Sequence, residues 1–292
     1  MRVAVNVNGR LTDDKSATIS VFDHGFLYGE GVYETLRTYN GRPFLLYRHL
    51  QRLRASSSAL GLTCSMDDED LVGLIDRTMA QVDGNDEKYI RVLLTRGIGE
   101  LSYDPVSCPN PTTVVIVRPY IEVSSDLLAE GASLILSSIV RNHPQALNPQ
   151  IKSNNLLNNA LAMQEALRAG ADEALMCNYK GEVAECAQSN VFIVKNASVL
   201  TPPLDAGLLE GITRNFVCEI GPSIGIPVYE QPLSVSDLFS ADEVFITGTT
   251  REVLGVREID RKKVGAGVPG QITRKLATEF KRRALEHTKP TS

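Results

Sequence analysis

The sequence predicts an α+β fold. Apolar residues alternate over short β-branched runs such as 3–7 and 32–39, and they recur at helical spacing over longer stretches such as 45–60. The strand-like runs come in groups with helices between them, whereas a doubly wound sheet alternates strands and helices strictly. The 292 residues could form one large domain or two modest ones, and we place the boundary near residues 118–125.

The first half of the chain has the pattern of a small sheet with helices. Asn8-Gly9 and Asn40-Gly41 are tight-turn signals after β-branched runs, so each marks the end of a strand. An acidic run, 65–70, precedes an apolar-periodic segment; it could be a cation site, but a helix N-cap with an acidic first turn explains it better. The other predicted elements are strands at 3–7, 17–21, 32–39, 89–95 and 112–117 and a helix at 45–60 with Leu46, Leu50, Leu53 and Leu60 on one side.

The second half begins after a connection at residues 118–122. The turn signal Tyr179-Lys180-Gly181 divides a run of strands, and a Gly at position 170 ends a helix. The predicted elements are strands at 132–140, 174–177, 183–194, 199–200 and 244–247, and helices at 156–168, 213–220 and 271–287.

Composition excludes several classes of protein. Lys and Arg total 30 against 35 Asp and Glu, so the formal charge is −5 and no nucleic-acid surface is expected. No stretch is apolar enough for a signal peptide or a membrane span, so we expect no membrane association and a cytoplasmic location. We expect no disulfide framework and no metal site, because the cysteines are scattered and odd in number and the histidines lack ligand spacing. These residues are Cys64, Cys108, Cys177, Cys186 and Cys218, with His24, His49, His143 and His287.

Two charges stand in unusual surroundings. Lys152 is the only formally charged side chain between Arg141 and Glu165, and it follows a Pro-bearing loop where a helix is expected to open. A cation at a helix start opposes the helix dipole, so the position suits a Schiff-base lysine, although a surface lysine at a loop end is the simpler interpretation. Glu185 is the only charge in 183–192; it is either an exposed strand residue or a carboxylate that keeps a cofactor pyridine protonated.

Three segments could bind a phosphate. Gly211-Ile212-Thr213 stands at the apparent start of a helix, where backbone N–H groups point at anions. Thr247-Gly248-Thr249-Thr250 follows a strand and offers hydroxyl and N–H groups, and Arg52 could add a fork of donors. Each segment alone is a weak signal. The coincidence of lysine, carboxylate and anion sites carries more weight than any one of them.

The order of these motifs resembles the class IV, or fold-type-IV, pyridoxal 5′-phosphate (PLP) enzymes. This group includes branched-chain aminotransferases, D-amino acid aminotransferases and aminodeoxychorismate lyases, and the match runs nearly end to end. GxSxG, HExxH and P-loop motifs of other enzyme classes are absent from the sequence. The motifs that carry the resemblance are GFLYGEGVYETLR at 25–37, HLQRL at 49–53, IKSNNL at 151–156, ECAQSN at 185–190, LEGITR at 209–214 and TGTT at 247–250.

The resemblance implies a role for each cofactor-site residue. Lys152 forms the Schiff base with PLP and moves the proton between the substrate and the cofactor. Glu185 pairs with the pyridine nitrogen, and Leu209 packs against the ring. The phosphate is held by Arg52, Ile212, Thr213 and Thr249. Thr250 lies where the substrate carboxylate or the phosphate binds.

The resemblance also implies the architecture. The family fold has a small N-terminal α/β domain and a larger C-terminal α/β pseudo-barrel domain, with the cofactor between them, in an obligate dimer that lends loops to the neighbouring site. For this chain we therefore predict a small domain at 1–118, a linker at 119–125, a PLP-binding domain at 126–292 and a homodimer or higher homo-oligomer.

The substrate pocket matches no subgroup cleanly. Its expected residues are Tyr28, Tyr33, Thr35, Arg37, Tyr89, Arg91 and Thr250. The aromatics and arginines favour a branched-chain aminotransferase that uses 2-oxoglutarate in a ping-pong cycle, although Arg37 and Arg91 could instead form internal ion pairs. Thr35 replaces a usual glycine, and Leu156 replaces the tyrosine of branched-chain enzymes. Leu101 and Tyr103 stand where D-amino acid enzymes carry an arginine and a histidine.

Three alternatives therefore stay open. They are a D-amino acid or (R)-amine transaminase of broad specificity, an aminodeoxychorismate lyase that releases pyruvate, and a PLP-binding or scaffold protein with a dead site. Lys152, Glu185 and Arg52 together argue against the last of these.

Overall fold

The computed structural model describes residues 2–63, 66–84 and 87–289. The chain forms two compact units. Unit 1 comprises Met1–Ile121, Ile151–Asn155 and His287–Ser292, and unit 2 comprises Glu122–Gln150 and Leu156–Glu286. The first break lies inside the predicted linker, but the segment that carries Lys152 belongs to unit 1. The units are thus not the contiguous segments 1–118 and 126–292, and those domain bounds stay a prediction.

Unit 1 is built on an antiparallel sheet of order β2-β1-β6-β5-β3-β4. Its predicted strand at 17–21 is wrong, because 17–20 pairs with no strand. The other predicted strands are confirmed to within two residues. The elements are β1 Ala4–Val7, β2 Arg10–Asp13, α1 His24–Leu27, β3 Gly31–Tyr39, β4 Arg42–Pro43, α2 Leu46–Ala59, α3 Asp68–Met79, β5 Lys88–Thr95 and β6 Thr112–Pro119.

The core of unit 1 lies between this sheet and helices α2 and α3. Val32 and Leu36 of β3 alternate inward and pack with Leu50 and Leu53, which confirms the predicted apolar side of α2. Asp67 caps α3 in a capping box with Asp70, so the N-cap interpretation of the acidic run is confirmed, although Ser65 lies outside the described residues. Because alternate residues of β3 point away from the helices, the opposite face of the sheet remains for other contacts.

Unit 2 is built on a nine-stranded sheet whose main path runs β12-β11-β10-β13-β14-β7-β8-β9, with β15 paired to β14. Its elements are α4 Ser125–Glu130, β7 Ala132–Leu136, α5 Leu157–Ala169, β8 Glu173–Cys177, β9 Val183–Cys186, β10 Asn190–Lys195, β11 Ser198–Thr201, α6 Ile212–Ser223, β12 Val228–Glu230, α7 Val235–Phe239, β13 Glu243–Gly248, β14 Glu252–Ile259, β15 Lys262–Lys263 and α8 Gln271–His287. Helix α8 has the predicted bounds.

Several features of unit 2 differ from expectation, among them the unpredicted elements α4, α7, β12 and β15. The strand predicted at 132–140 ends at Leu136. The run 183–194 is two strands, because the chain turns where the Cys186 amide donates to the Ser189 carbonyl at 2.7 Å. Strand β14 was not predicted; it pairs with β13 and with β7.

The described part of the chain contains no helix long and apolar enough to cross a bilayer. Within it, no group of three or more His, Cys, Asp or Glu side chains is arranged to hold a metal ion. The cysteines at 108, 177, 186 and 218 are free thiols, and Cys64 lies outside the described residues.

Candidate active site

The Lys152 segment runs along the edge of β3 in unit 1. The amide of Tyr33 donates to the Lys152 carbonyl at 2.9 Å, and the amide of Lys152 donates to Ser56 Oγ of α2 at 3.1 Å. The backbone of Lys152 is therefore held by a strand and a helix at once. Helix α5 begins only at Leu157, so the expectation that Lys152 opens a helix is wrong.

The side chain of Lys152 lies against an aromatic ring with a second cation. Its Nζ is 4.5 Å from the centroid of the Tyr33 ring, and the guanidinium carbon of Arg91 is 4.1 Å from the same centroid. Strand register pairs Thr35 with Arg91, and Arg37 with Tyr89. Five predicted pocket residues therefore share the sheet face opposite α2, because side chains two apart on a strand point the same way.

Arg37 is less accessible than the sequence suggested. It is 2% exposed, and its guanidinium carbon lies 4.2 Å from the Tyr39 ring centroid and 3.7 Å from that of Tyr120. Protein rings thus stack on the guanidinium, and its contact with substrate stays a prediction. Arg91 likewise lies over one aromatic ring, that of Tyr33, and the internal ion pairs considered for Arg37 and Arg91 stay untested.

Arg52 is held by a buried carboxylate. Its Nε donates to Glu34 Oε1 at 2.7 Å and its Nη2 to Glu34 Oε2 at 2.8 Å, while His49 Nδ1 donates to Oε2 at 2.7 Å. Although burial opposes ionisation of Glu34, Arg52 and His49 hold its pKa well below the usual range. Burial, with Arg52 and Lys152 nearby, holds the pKa of His49 below its ordinary value against the pull of Glu34. Glu34 thus fixes Arg52.

Tyr28 lies in a loop of unit 1 rather than on the sheet. Its ring packs edge-on against buried His24, with centroids 4.9 Å apart, and against Tyr103 at 5.0 Å. Tyr103 is 83% exposed, and Leu101 is also exposed. The contact between Tyr28 and Tyr103 brings two sequence-distant loops together.

In unit 2, Glu185 is buried and hydrogen-bonded from several elements. Oε1 accepts from Arg141 Nε at 2.8 Å, and Oε2 accepts from Asn190 Nδ2 at 3.3 Å and from the Leu209 amide at 3.1 Å. The exposed-strand interpretation of Glu185 is therefore wrong, since the residue is 5% exposed. Arg141 had no predicted role. Its sequence signal was its place as the last cation before Lys152.

The predicted phosphate segment is connected to Glu185 through hydrogen bonds of Asn190. Asn190 Nδ2 also donates to the Leu209 carbonyl at 2.9 Å, which fixes Leu209 on both sides. A Cβ on Gly211 would lie 2.0 Å from Asn190 Oδ1, so only glycine fits there. Gly211 is the N-cap of the 12-residue helix α6, whose first turn has no side-chain cap. The amides of Ile212 and Thr213 therefore open an uncapped helix start, where anions bind.

The threonine segment lies beside it. Thr247 is the register partner of Asn190, and its buried hydroxyl has no hydrogen-bond partner among the described residues. Thr249 and Thr250 form the half-buried turn between β13 and β14. Arg251 anchors this turn, since its Nη1 lies 3.2 Å from Glu173 Oε2.

These groups fit PLP. Unit 1 offers an amine beside an aromatic ring and a fixed arginine. Unit 2 offers a buried carboxylate, an uncapped helix start and an unpaired buried hydroxyl, which suit a pyridine nitrogen and a phosphate. The two sets carry the donor chemistry that an aromatic aldehyde phosphate needs.

The family comparison agrees with this fold. The sequence model of the class IV amino-transferase family matches residues 31–259. The chain belongs to that family. It is accordingly a PLP-dependent aminotransferase, and its fold is the α+β fold of fold-type IV.

Similar proteins carry three different activity names. One from Methanocaldococcus jannaschii, named "Putative branched-chain-amino-acid aminotransferase", is 41% identical over 278 residues, which are 95% of each chain. A D-alanine aminotransferase of Listeria innocua is 37% identical over 94% of each chain. An aminodeoxychorismate lyase of Bacillus subtilis is 33% identical over 95% of this chain and 94% of its own.

Among solved structures, a branched-chain amino acid aminotransferase from Thermoproteus uzoniensis, solved with norvaline, superposes with a TM-score of 0.90. It is 32% identical and covers 97% of this chain and 95% of its own. Another branched-chain amino acid aminotransferase, solved with pyridoxamine 5′-phosphate, has a TM-score of 0.92 at 30% identity and covers 98% of this chain and 95% of its own.

Proposed function

We propose that this chain transfers an amino group from a branched-chain or related amino acid to 2-oxoglutarate in a ping-pong cycle. In this proposal Lys152 and Arg52 of unit 1 and Glu185, Leu209, Ile212, Thr213 and Thr249 of unit 2 hold one PLP molecule. Bound PLP supplies a pyridine ring that withdraws electrons from the substrate α-carbon. The name of the 41% identical relative supports the donor.

The observation that carries the proposal is the group of Lys152, Tyr33 and Arg91. Lys152 Nζ would accept the α-proton of the substrate and return it, as general base and then general acid. Arg91, on the same ring, offers the cation that an amino or 2-oxo acid carboxylate needs beside the reacting amine. The pocket walls would be completed by Tyr28, Thr35, Arg37, Tyr89 and Thr250.

The relatives favour a second candidate. A D-alanine aminotransferase and an aminodeoxychorismate lyase match almost the whole chain, and Leu156 stands where branched-chain enzymes carry tyrosine. The alternatives are thus a D-amino acid or (R)-amine transaminase, or a lyase that releases pyruvate. A lyase would form pyruvate from aminodeoxychorismate without a 2-oxo acid acceptor.

We also propose that the active form is a homodimer. Large apolar side chains stand exposed on two neighbouring segments of unit 1, one of which includes α1, and water would otherwise solvate them. A second copy of the chain would cover this surface, and analytical ultracentrifugation tests the assembly. The exposed residues are Val21, Phe22, Phe26, Ile98, Leu101 and Tyr103.

Two experiments test the proposed activity. Borohydride reduction and peptide mapping should place the pyridoxyl group on Lys152, and Lys152→Ala should abolish turnover, while Lys180→Ala, an exposed lysine near Tyr179, should not. Single half-reactions with L-leucine, D-alanine and (R)-phenylethylamine then identify the donor by loss of cofactor absorbance. Activity retained in Lys152→Ala would refute the assignment. The cytoplasmic location stays a prediction that cell fractionation can check.

A further inference from the structure

Arg141 is a buried cation whose hydrogen bonds reach three elements of unit 2. It follows β7 and is 7% exposed, and its amide donates to the Cys177 carbonyl at 2.9 Å. Its Nε donates to Glu185 Oε1 at 2.8 Å, and its Nη1 donates to Asn158 Oδ1 at 3.0 Å. The guanidinium thus joins strand β9 to the first turn of α5.

The position of Arg141 is fixed from both ends. Asn158 Oδ1 also accepts from the Asn142 amide at 3.2 Å, and Asn158 Nδ2 donates to the Val140 carbonyl at 2.9 Å. Asn158 is therefore tied to the backbone on either side of Arg141. Because the arginine fork is planar and held at two places, it cannot leave Glu185 without breaking these contacts.

The charge of Arg141 beside Glu185 affects how strongly a proton on a neighbouring pyridine nitrogen would be held. The Glu185–Arg141 pair is neutral by itself, so a protonated pyridine beside it would add a net positive charge in a buried place. Without the arginine, the negative carboxylate and the protonated pyridine would form a neutral pair. The carboxylate would then hold the proton on the pyridine more strongly. A second buried carboxylate of unit 2, Glu173, has its own cation, because Arg251 Nη1 lies 3.2 Å from Glu173 Oε2.

We propose that Arg141 is a positioning residue that weakens the hold of Glu185 on the proton of the cofactor's pyridine nitrogen. The proposal rests on the proposed function, in which Glu185 faces that nitrogen. Arg141 fixes the direction of the carboxylate and shares its negative charge. Arg141 would thereby reduce the electron withdrawal by the pyridine ring without needing to touch the ring.

The test is a nitrogen NMR measurement on the PLP-loaded enzyme with ¹⁵N in the pyridine ring. Arg141→Gln removes the charge and keeps a donor, so the pyridine resonance should shift toward the protonated position. Arg141→Lys keeps the charge and should stay near the parent. Asn158→Asp places a competing anion at the other end of Arg141, so it should shift the resonance in the same direction as Arg141→Gln.

The outcomes separate this inference from the proposed function. Shifts toward pyridinium in Arg141→Gln and Asn158→Asp, but not in Arg141→Lys, support the role of Arg141. An unmoved or oppositely shifted resonance overturns it, and Asn158→Asp decides alone if Arg141→Gln does not fold. Failure of the parent protein to bind the labelled PLP at Lys152 would instead contradict the proposed function.

Discussion

Arg52 donates two parallel hydrogen bonds to the Glu34 carboxylate, at 2.7 and 2.8 Å, although the two residues lie 18 positions apart. Glu34 is fully buried, and His49 donates to it as well. The pair places a fixed guanidinium in the same unit as Lys152. Each of the two charges loses hydration on burial, so each depends on the other for its stability in the folded protein.

Glu34→Gln should therefore destabilise the apo protein and weaken PLP binding. Loss of one partner of a buried pair costs about 3–5 kcal/mol. Urea unfolding and a PLP titration measure the two effects. Asp68→Asn is the matched control, since it breaks a half-exposed pair between Asp68 of α3 and Arg54 of α2 and should cost under about 1 kcal/mol. Equal losses in the two variants would contradict the structural role of Glu34.

Arg91→Met should raise the KM for 2-oxoglutarate about 10- to 100-fold, because a charge-assisted hydrogen bond contributes about 1.5–3 kcal/mol. The KM for a branched-chain donor should rise as well, because the donor carries the same α-carboxylate beside the reacting amine. Arg118→Met is the control: Arg118 lies over the Tyr89 ring but is exposed. An unchanged KM for 2-oxoglutarate in Arg91→Met would remove Arg91 from the pocket.

The stability of the apo protein should fall as the pH drops from 7.5 to 5.5. The pKa of His49 is lower in the folded chain than its ordinary 6.5, so the unfolded chain binds the proton first. Stability is then lost as the pH falls below about 6.5, by at most about 1.4 kcal/mol per pH unit for one histidine. His49→Asn keeps a donor near Glu34 and should flatten the dependence of the urea midpoint on pH. An equally steep profile in that variant would assign the effect to other groups.

Gly211→Ala should lower PLP affinity at least about 10-fold. Its Cβ would displace Asn190, which holds Leu209 and Glu185 in place. Equilibrium dialysis of PLP measures the effect. Gly73→Ala lies within α3 near a flexible arginine tip, so it should bind PLP normally and gain about 0.5–1 kcal/mol of stability. Normal affinity in Gly211→Ala would mean that the helix start does not bind the phosphate.

The local sequence pattern was enough to predict many of the helices and strands. Helix 271–287, strand 32–39 and the capped start of α3 follow from periodicity and from side chains within one or two turns, so neighbours in sequence decide them. The break at 187–189 was missed because both flanking runs are β-rich. The turn is visible only as a hydrogen bond between Cys186 and Ser189.

The sequence by itself determined the family, the candidate lysine and carboxylate, and the residues of the proposed phosphate segment, because short motifs keep these groups at fixed spacings. Only the tertiary structure decided which charges meet: Arg141 with Glu185, 44 residues apart, and Arg52 with Glu34. It also placed Lys152 on a strand edge and stacked Arg37 against aromatic rings. Such contacts depend on strand order and register, which join distant segments and leave no local pattern in the chain.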